Sequence, residues 1–231
     1  MPDLKAEQVT DVENQTALNG PGVNVNAMVS RLGFWSALLS FVFGMGYIVA
    51  QLFQFAGIPA APWYLITLMF PSFWLALSFV ILMISICHYA SDERKIWGHI
   101  ALTFAIMYST LNTAVYFLQM TVVLPLILNG TAEKVAFLTF STPSFIYGLD
   151  ALGYSLMSLA TLFAAFVFVR GGIEHWIRWA LIANGLLTVP LLLQQNFPIA
   201  FDMGALWVIT FPLSTALLAV LFKRGGAQAT V

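Results

Sequence analysis

The sequence predicts an all-α integral membrane protein, a six-transmembrane-helix bundle with both termini cytoplasmic. Three observations carry this. Of 231 residues, 60% are hydrophobic and 8% charged. A soluble domain carries about 25% charged residues, so most of this surface cannot face water. Six apolar runs follow one another, each near or above the roughly 20 residues that a 30 Å hydrocarbon core demands. The basic residues, finally, divide very unevenly between the connecting loops.

Residues 1–30 are polar, with Lys5 set among Asp3, Glu7, Asp11 and Glu13. Such a stretch buries too little apolar area to offset its ordering entropy and reads as a disordered tail. It does not read as a secretory signal, which places basic residues just before a short apolar core near the start. Residues 31–225 form the membrane domain, with spans expected over about 33–56, 63–88, 98–127, 147–169, 176–195 and 201–222; residues 226–231 are a short C-terminal tail. The third span is long and carries Pro125 near its end, where a bend or an interfacial turn is expected. Pro71 and Pro212 read as ordinary kinks in the second and sixth spans. The loop over 129–145 is semi-apolar, with Val135, Phe137, Leu138 and Phe140, and reads as a short segment lying on the outer leaflet. Asn129-Gly130-Thr131 and Asn14-Gln15-Thr16 fit the short glycosylation pattern.

Orientation follows from the short-loop lysines and arginines. Lys5, Arg31, Arg94, Lys95, Arg170, Arg178, Lys223 and Arg224 fall on one side of a six-span chain, and only Lys134 on the other. That places both termini inside, in a cell or cytoplasmic membrane. Trp35, Trp97, Trp176 and Trp179 fall at the inner span ends and Trp63 at an outer one, the expected aromatic belt.

The sharpest chemical signal is Asp150, a carboxylate set into the fourth span. Tyr147 and Tyr154, three before and four after it, share its helical face. An ionisable side chain inside a span marks either a site or a buried structural contact. Other spans carry polar stripes at helical spacing: Ser36, Ser40, Gly44, Tyr47, Gln51 and Gln54 in the first, Tyr108, Asn112, Tyr116 and Gln119 in the third, Asn184, Thr188 and Gln195 in the fifth. Unsatisfied in lipid, these stripes are expected to face other helices or a wet cavity. Depth selects among them. With the orientation above, Gln51, Gln54, Tyr116, Gln119, Asp150, Tyr154, Gln195 and Asp202 share the outer half, with Tyr147 beside them and no lysine or arginine at that depth. Asp202 has a second reading, as a cap on the sixth helix.

Much is excluded. One cysteine, Cys87, allows no intrachain disulfide, and it reads as a small buried residue at a span end. His88, His99 and His175 gather on the inner side with Asp92, Glu93 and Glu174, but no spacing there matches a metal-ligand motif. No lysine sits in mid-span to form a Schiff base, and there is no phosphate-binding, hydrolase or dinucleotide fingerprint. A net charge of −1 with no basic run argues against nucleic acid. The expected function is binding or transport of a small cationic or polar solute through an outward-facing polar pocket. The alternative is a structural or accessory membrane subunit whose stripes serve helix packing. A lipid-modifying enzyme would need a nucleophile–base pair that the sequence does not display. The expected partners are the lipid bilayer, that solute and further copies of the chain, with no cofactor and no metal.

Overall fold

A computed structural model describes residues 25–169 and 171–228. Its α-helices are α1 (Val25–Phe55), α2 (Tyr64–Tyr89), α3 (Lys95–Leu118), α4 (Leu124–Leu128), α5 (Phe145–Ala164), α6 (Ile173–Gly185), α7 (Thr188–Leu193), α8 (Pro198–Gly204) and α9 (Trp207–Gln228), and no strand occurs among the described residues. They compose six units long and apolar enough to cross a membrane: Ala27–Phe55, Tyr64–Tyr89, Asp92–Leu128, Phe145–Val167, Ile173–Leu193 and Pro198–Gly225. This is the architecture of a multi-pass membrane protein. Residues 25–30, which composition alone assigns to the tail, are the first turns of α1. The rest of the tail, with Lys5 and Asn14, lies outside the described residues, as do Arg170 and 229–231.

Helix is what an apolar chain of this kind must form, because it satisfies every backbone group within the segment. Many hydroxyls do the same locally. Ser36, Ser72, Thr113, Thr121, Ser155 and Ser214 each donate to the carbonyl four residues back, at 2.6–2.8 Å. These hydroxyls, Ser36 of the first polar stripe among them, therefore need no partner helix. The third unit does bend near its proline. Pro125 lacks an N–H and its ring crowds the carbonyl of Thr121, and the ladder widens into a π turn over Gln119–Val123. Between α6 and α7, and between α8 and α9, the chain passes through single tightened turns, as with Leu187 N–H to Asn184 O and Val208 N–H to Ala205 O, both 3.1 Å. Pro190 cannot donate to Leu186, which explains the first of these breaks.

The six units pack in a closed ring in chain order. α1 lies against α2, α2 against α3, α3 against α5, α5 against α6 and α7, α6 against α9, and α9 back against α1. The start of α1 meets the end of α9: a Cβ on Gly33 would lie 2.5 Å from the Phe222 ring. The start of α1, the end of α9, the α2–α3 connection with Arg94, and the first turns of α6 with Arg178 thus share one end, called the basic end below. The 3₁₀ segment Ala132–Leu138 closes the other, the loop end. Its Val135 is buried, and Phe137 stacks on Phe145 at 5.3 Å, so the semi-apolar loop folds back onto the bundle. The fourth unit is the most enclosed. Two thirds of its apolar window is buried (67%), against 33–50% in the others. Asp150 sits in it.

Candidate functional site

α5 starts where its sequence says it should. Ser144 stands in extended backbone and its hydroxyl accepts the Tyr147 N–H at 3.1 Å, a side-chain N-cap. Two turns later Asp150 points into the bundle and is 7% exposed. Its carboxylate is met from α3. Asn112 Nδ2 donates to Oδ1 at 2.9 Å and the Tyr116 hydroxyl donates to the same oxygen at 2.7 Å. Asn112 Nδ2 also lies 2.9 Å from the Tyr116 hydroxyl, and the Tyr154 hydroxyl is 3.3 Å away from it. Gly153 makes this approach geometrically feasible. A Cβ there would stand 1.5 Å from Asn112 Oδ1, so any side chain at 153 would expel the asparagine.

Aromatic rings wall the cluster. Tyr154 packs against Trp207 at 5.3 Å, Tyr108 at 5.8 Å and Tyr47 at 6.3 Å, and Tyr47 meets Trp207 edge-on at 5.9 Å. On the side facing the basic end, Phe79 and Phe211 complete an apolar floor, with Phe79 against Tyr108 at 5.7 Å and Phe211 stacked on Trp207 at 4.8 Å. Electrostatically the site is unbalanced. No basic side chain pairs with Asp150 among the described residues, whose one ion pair is the exposed Lys95–Asp92. Both hydrogen bonds to Asp150 go to Oδ1, and no described residue donates to Oδ2. Three polar atoms around it, the Tyr108 hydroxyl, Asn112 Oδ1 and Trp207 Nε1, are buried and unpartnered. Buried polar groups are nearly always satisfied, so such a concentration calls for an explanation.

Of the residues that sequence selects, the structure brings together Asp150, Tyr116 and Tyr154. The others stand apart. Gln51 accepts from the Tyr47 hydroxyl at 3.1 Å and donates to Gln54 at 2.8 Å, a polar chain running from the cluster toward the loop end. Gln119 turns away to the 129–145 loop, donating to Leu138 O at 2.6 Å and accepting the Phe140 N–H at 3.1 Å. Gln195 accepts the Ser144 N–H at 3.2 Å, so it fixes the start of α5. Tyr147 is half-buried against Phe140 rather than beside the carboxylate. Asp202 is exposed in the middle of α8, whose N-cap is Phe197, so it neither joins the site nor caps that helix. A lateral cavity of about 410 Å³ between α1 and α2, lined by residues such as Gly46, Phe53, Phe70 and Pro71, is apolar and contains none of the predicted site residues.

The residues missed are Asn112, Tyr108, Tyr47 and Trp207. The first three lie on polar stripes visible in sequence; Trp207 was marked only by standing six residues inside a span instead of at its end. Trp97, in the first turn of α3 at the basic end, packs on Phe163 and Phe166 at 6.1 and 5.0 Å. Asn184 is fully satisfied, donating to Thr161 at 3.0 Å and accepting from Thr210 at 2.8 Å, and bridges three units as a packing group.

At the basic end, Glu174 is a second buried carboxylate, which sequence assigned to a loop. It stands in the first turn of α6 and accepts from the Tyr89 hydroxyl at 2.7 Å and the Val169 N–H at 3.2 Å. Arg94 donates to Phe166 O at 2.9 Å, near the C-terminal end of the fourth unit. Both placements complement the helix dipoles. His88, His99 and His175 are exposed, and no group of three or more potential metal ligands occurs among the described residues. Cys87 is buried against Gly98. No family model matches the chain, and neither a curated protein nor a solved structure does.

Proposed function

We propose that this multi-pass membrane protein binds a small cation at Asp150, in a site that opens toward the outer face, with both termini cytoplasmic. One observation carries the reading: a carboxylate buried in the most enclosed span, hydrogen-bonded on one oxygen and without a basic partner among the described residues. An ionised carboxylate taken out of water requires a countercharge and further hydrogen bonds. The protein provides the hydrogen bonds and leaves the countercharge to a ligand. The unpartnered atoms around the site support the same reading. The outward direction rests on charge. Arg31, Arg94, Lys95, Arg178, Lys223 and Arg224 stand at the end opposite the Gln51–Gln54 chain, and basic loops stay inside.

The test is paired. Asp150→Asn keeps the shape and removes the charge. With the fold intact, the wild type in detergent should gain melting temperature with added monovalent cation or with changing pH, and the variant should not. Identical responses from both proteins would leave Asp150 as interhelical glue, of the kind worth about 0.6 kcal/mol per hydrogen bond in membrane bundles, and favour an accessory subunit.

A further inference from the structure

We propose that the ligand of the Asp150 site is a proton, delivered from the loop end along Gln54, Gln51 and Tyr47. The proposal rests on the reading of Asp150 as a cation site and narrows it. Three features of the packing select the proton.

Room is the first. Tyr47, Tyr154 and Trp207 are in mutual contact, with centroid separations of 5.3–6.3 Å, and Asn112 fills the space over Gly153. An organic ammonium is recognised by rings standing apart around it, and these rings have closed on one another. Coordination is the second. A metal cation such as Ca²⁺ or Mg²⁺ takes about six or more oxygens. Here the polar groups aimed at the carboxylate are donors, Asn112 Nδ2 and the Tyr116 hydroxyl, while Asn112 Oδ1 is turned toward Gly153. Donors repel a metal and accommodate a carboxyl that takes up and releases a proton.

The path is the third. The Tyr47 hydroxyl donates to Gln51 and Gln51 donates to Gln54, all three half-buried on one face of α1, which leads to the loop end. In the opposite direction Phe79, Phe211 and Met157 seal the core. The site is thus open to protons from one end. The step moves no electron pairs between residues other than those of O–H bonds. The hydroxyl that meets the carboxylate is that of Tyr116, with the Tyr154 hydroxyl 3.3 Å behind it and the Tyr47 ring packed on Tyr154. Tyr116 passes its proton to Asp150, where a new O–H bond forms, and regains one by way of Tyr154 and Tyr47 from a hydronium ion at the loop end, which is left as water. The titratable groups nearest Asp150 are Tyr47 of α1, Tyr108 and Tyr116 of α3, and Tyr154 of its own helix, with Tyr147 one turn away against Phe140. Glu174, His175 and Arg178 of α6 stand at the basic end, Glu133 and Lys134 of the loop segment are exposed, and α7 has no titratable residue.

Infrared difference spectra of the purified full-length protein read this directly. A carboxylic C=O band should appear and vanish through a pH titration and be absent in Asp150→Asn. After a rapid pH step, that band should respond about tenfold or more slowly in Tyr47→Phe and Gln51→Leu, the effect expected when a proton-transfer group is lost. Ser158→Ala, on the sealed side, should keep the wild-type rate, and Gln51→Glu should restore what Gln51→Leu loses, which separates a broken path from a damaged fold. Equal rates in all variants overturn the proposal. So does the absence of the band together with stabilisation by sodium, potassium or an alkylammonium that Asp150→Asn abolishes; in that outcome the cation site stands and the proton fails. Absence of both the band and any cation response overturns the two readings together.

Discussion

Gly153 and Asn112 are the most constrained pair in the molecule. The asparagine reaches Asp150 only because position 153 has no side chain, and a methyl there would overlap Asn112 Oδ1. Gly153→Ala should therefore cost about 1–3 kcal/mol, the usual penalty of overpacking, and abolish the cation or pH response of the wild type, since Asn112 must leave Oδ1. Gly171→Ala is the control: a Cβ there meets nothing, and its melting temperature should stay at the wild-type value. The central trio was legible because helical spacing and depth are both written in a sequence: Asp150 and Tyr154 share a face, and Tyr116 lies at their level. Which amides look inward was not legible. Gln119 and Gln195 have the right depth, yet their partners are backbone groups of the 138–144 stretch, whose position is fixed by tertiary folding. Trp207 was hidden for the reverse reason, since an indole inside a span reads as bulk until its neighbours are known.

Among the segments, the third unit shows how one proline reorganises a site at a distance. Pro125 opens the π turn, and the π turn carries Gln119. The buried Gln119 side chain then holds the 3₁₀ segment by Leu138 O and Phe140 N–H. Gln119→Leu keeps the volume and removes both bonds. We expect a loss of about 1–3 kcal/mol, with faster amide exchange confined to residues 132–140 and no change at Asp150. Exchange that spreads through α5 would show instead that the loop holds the whole span in place. Sequence marked the proline and the semi-apolar loop separately; their connection through one amide requires the fold. Glu174 makes the same point at the other end. A carboxylate two residues after a loop glycine reads as solvated, but α6 begins at Ile173 and draws it inside, onto the Tyr89 hydroxyl. Tyr89→Phe should lower the melting temperature by an amount equivalent to roughly 1.5–3 kcal/mol, the range for hydrogen bonds to charged groups.

For the bundle as a whole, closure in chain order puts the first and last spans in contact and gives the two ends different chemistry. Exposed basic side chains such as Arg31, Lys95 and Lys223 mark one end, while a folded apolar segment and the Gln51–Gln54 chain mark the other. Composition and run length were enough for six spans, because the hydrocarbon core imposes both. The order of packing was not, because lipid-facing and bundle-facing apolar residues look alike in sequence. Orientation relative to the cell is a property of the charges, and it decides whether the Asp150 site faces outside. In a Cys87→Ala background, single cysteines replace Glu133 in the loop segment and Ser91 at the basic end, both exposed positions. Intact cells treated with a membrane-impermeant maleimide should label Glu133→Cys strongly, and Ser91→Cys only after permeabilisation. The opposite pattern would turn the bundle over and make Gln54 the cytoplasmic mouth of the site. Equal labelling before permeabilisation would mean that the charge difference does not set a single topology. In either case Asp150 would keep its surroundings, and the direction of proton access would be reassigned.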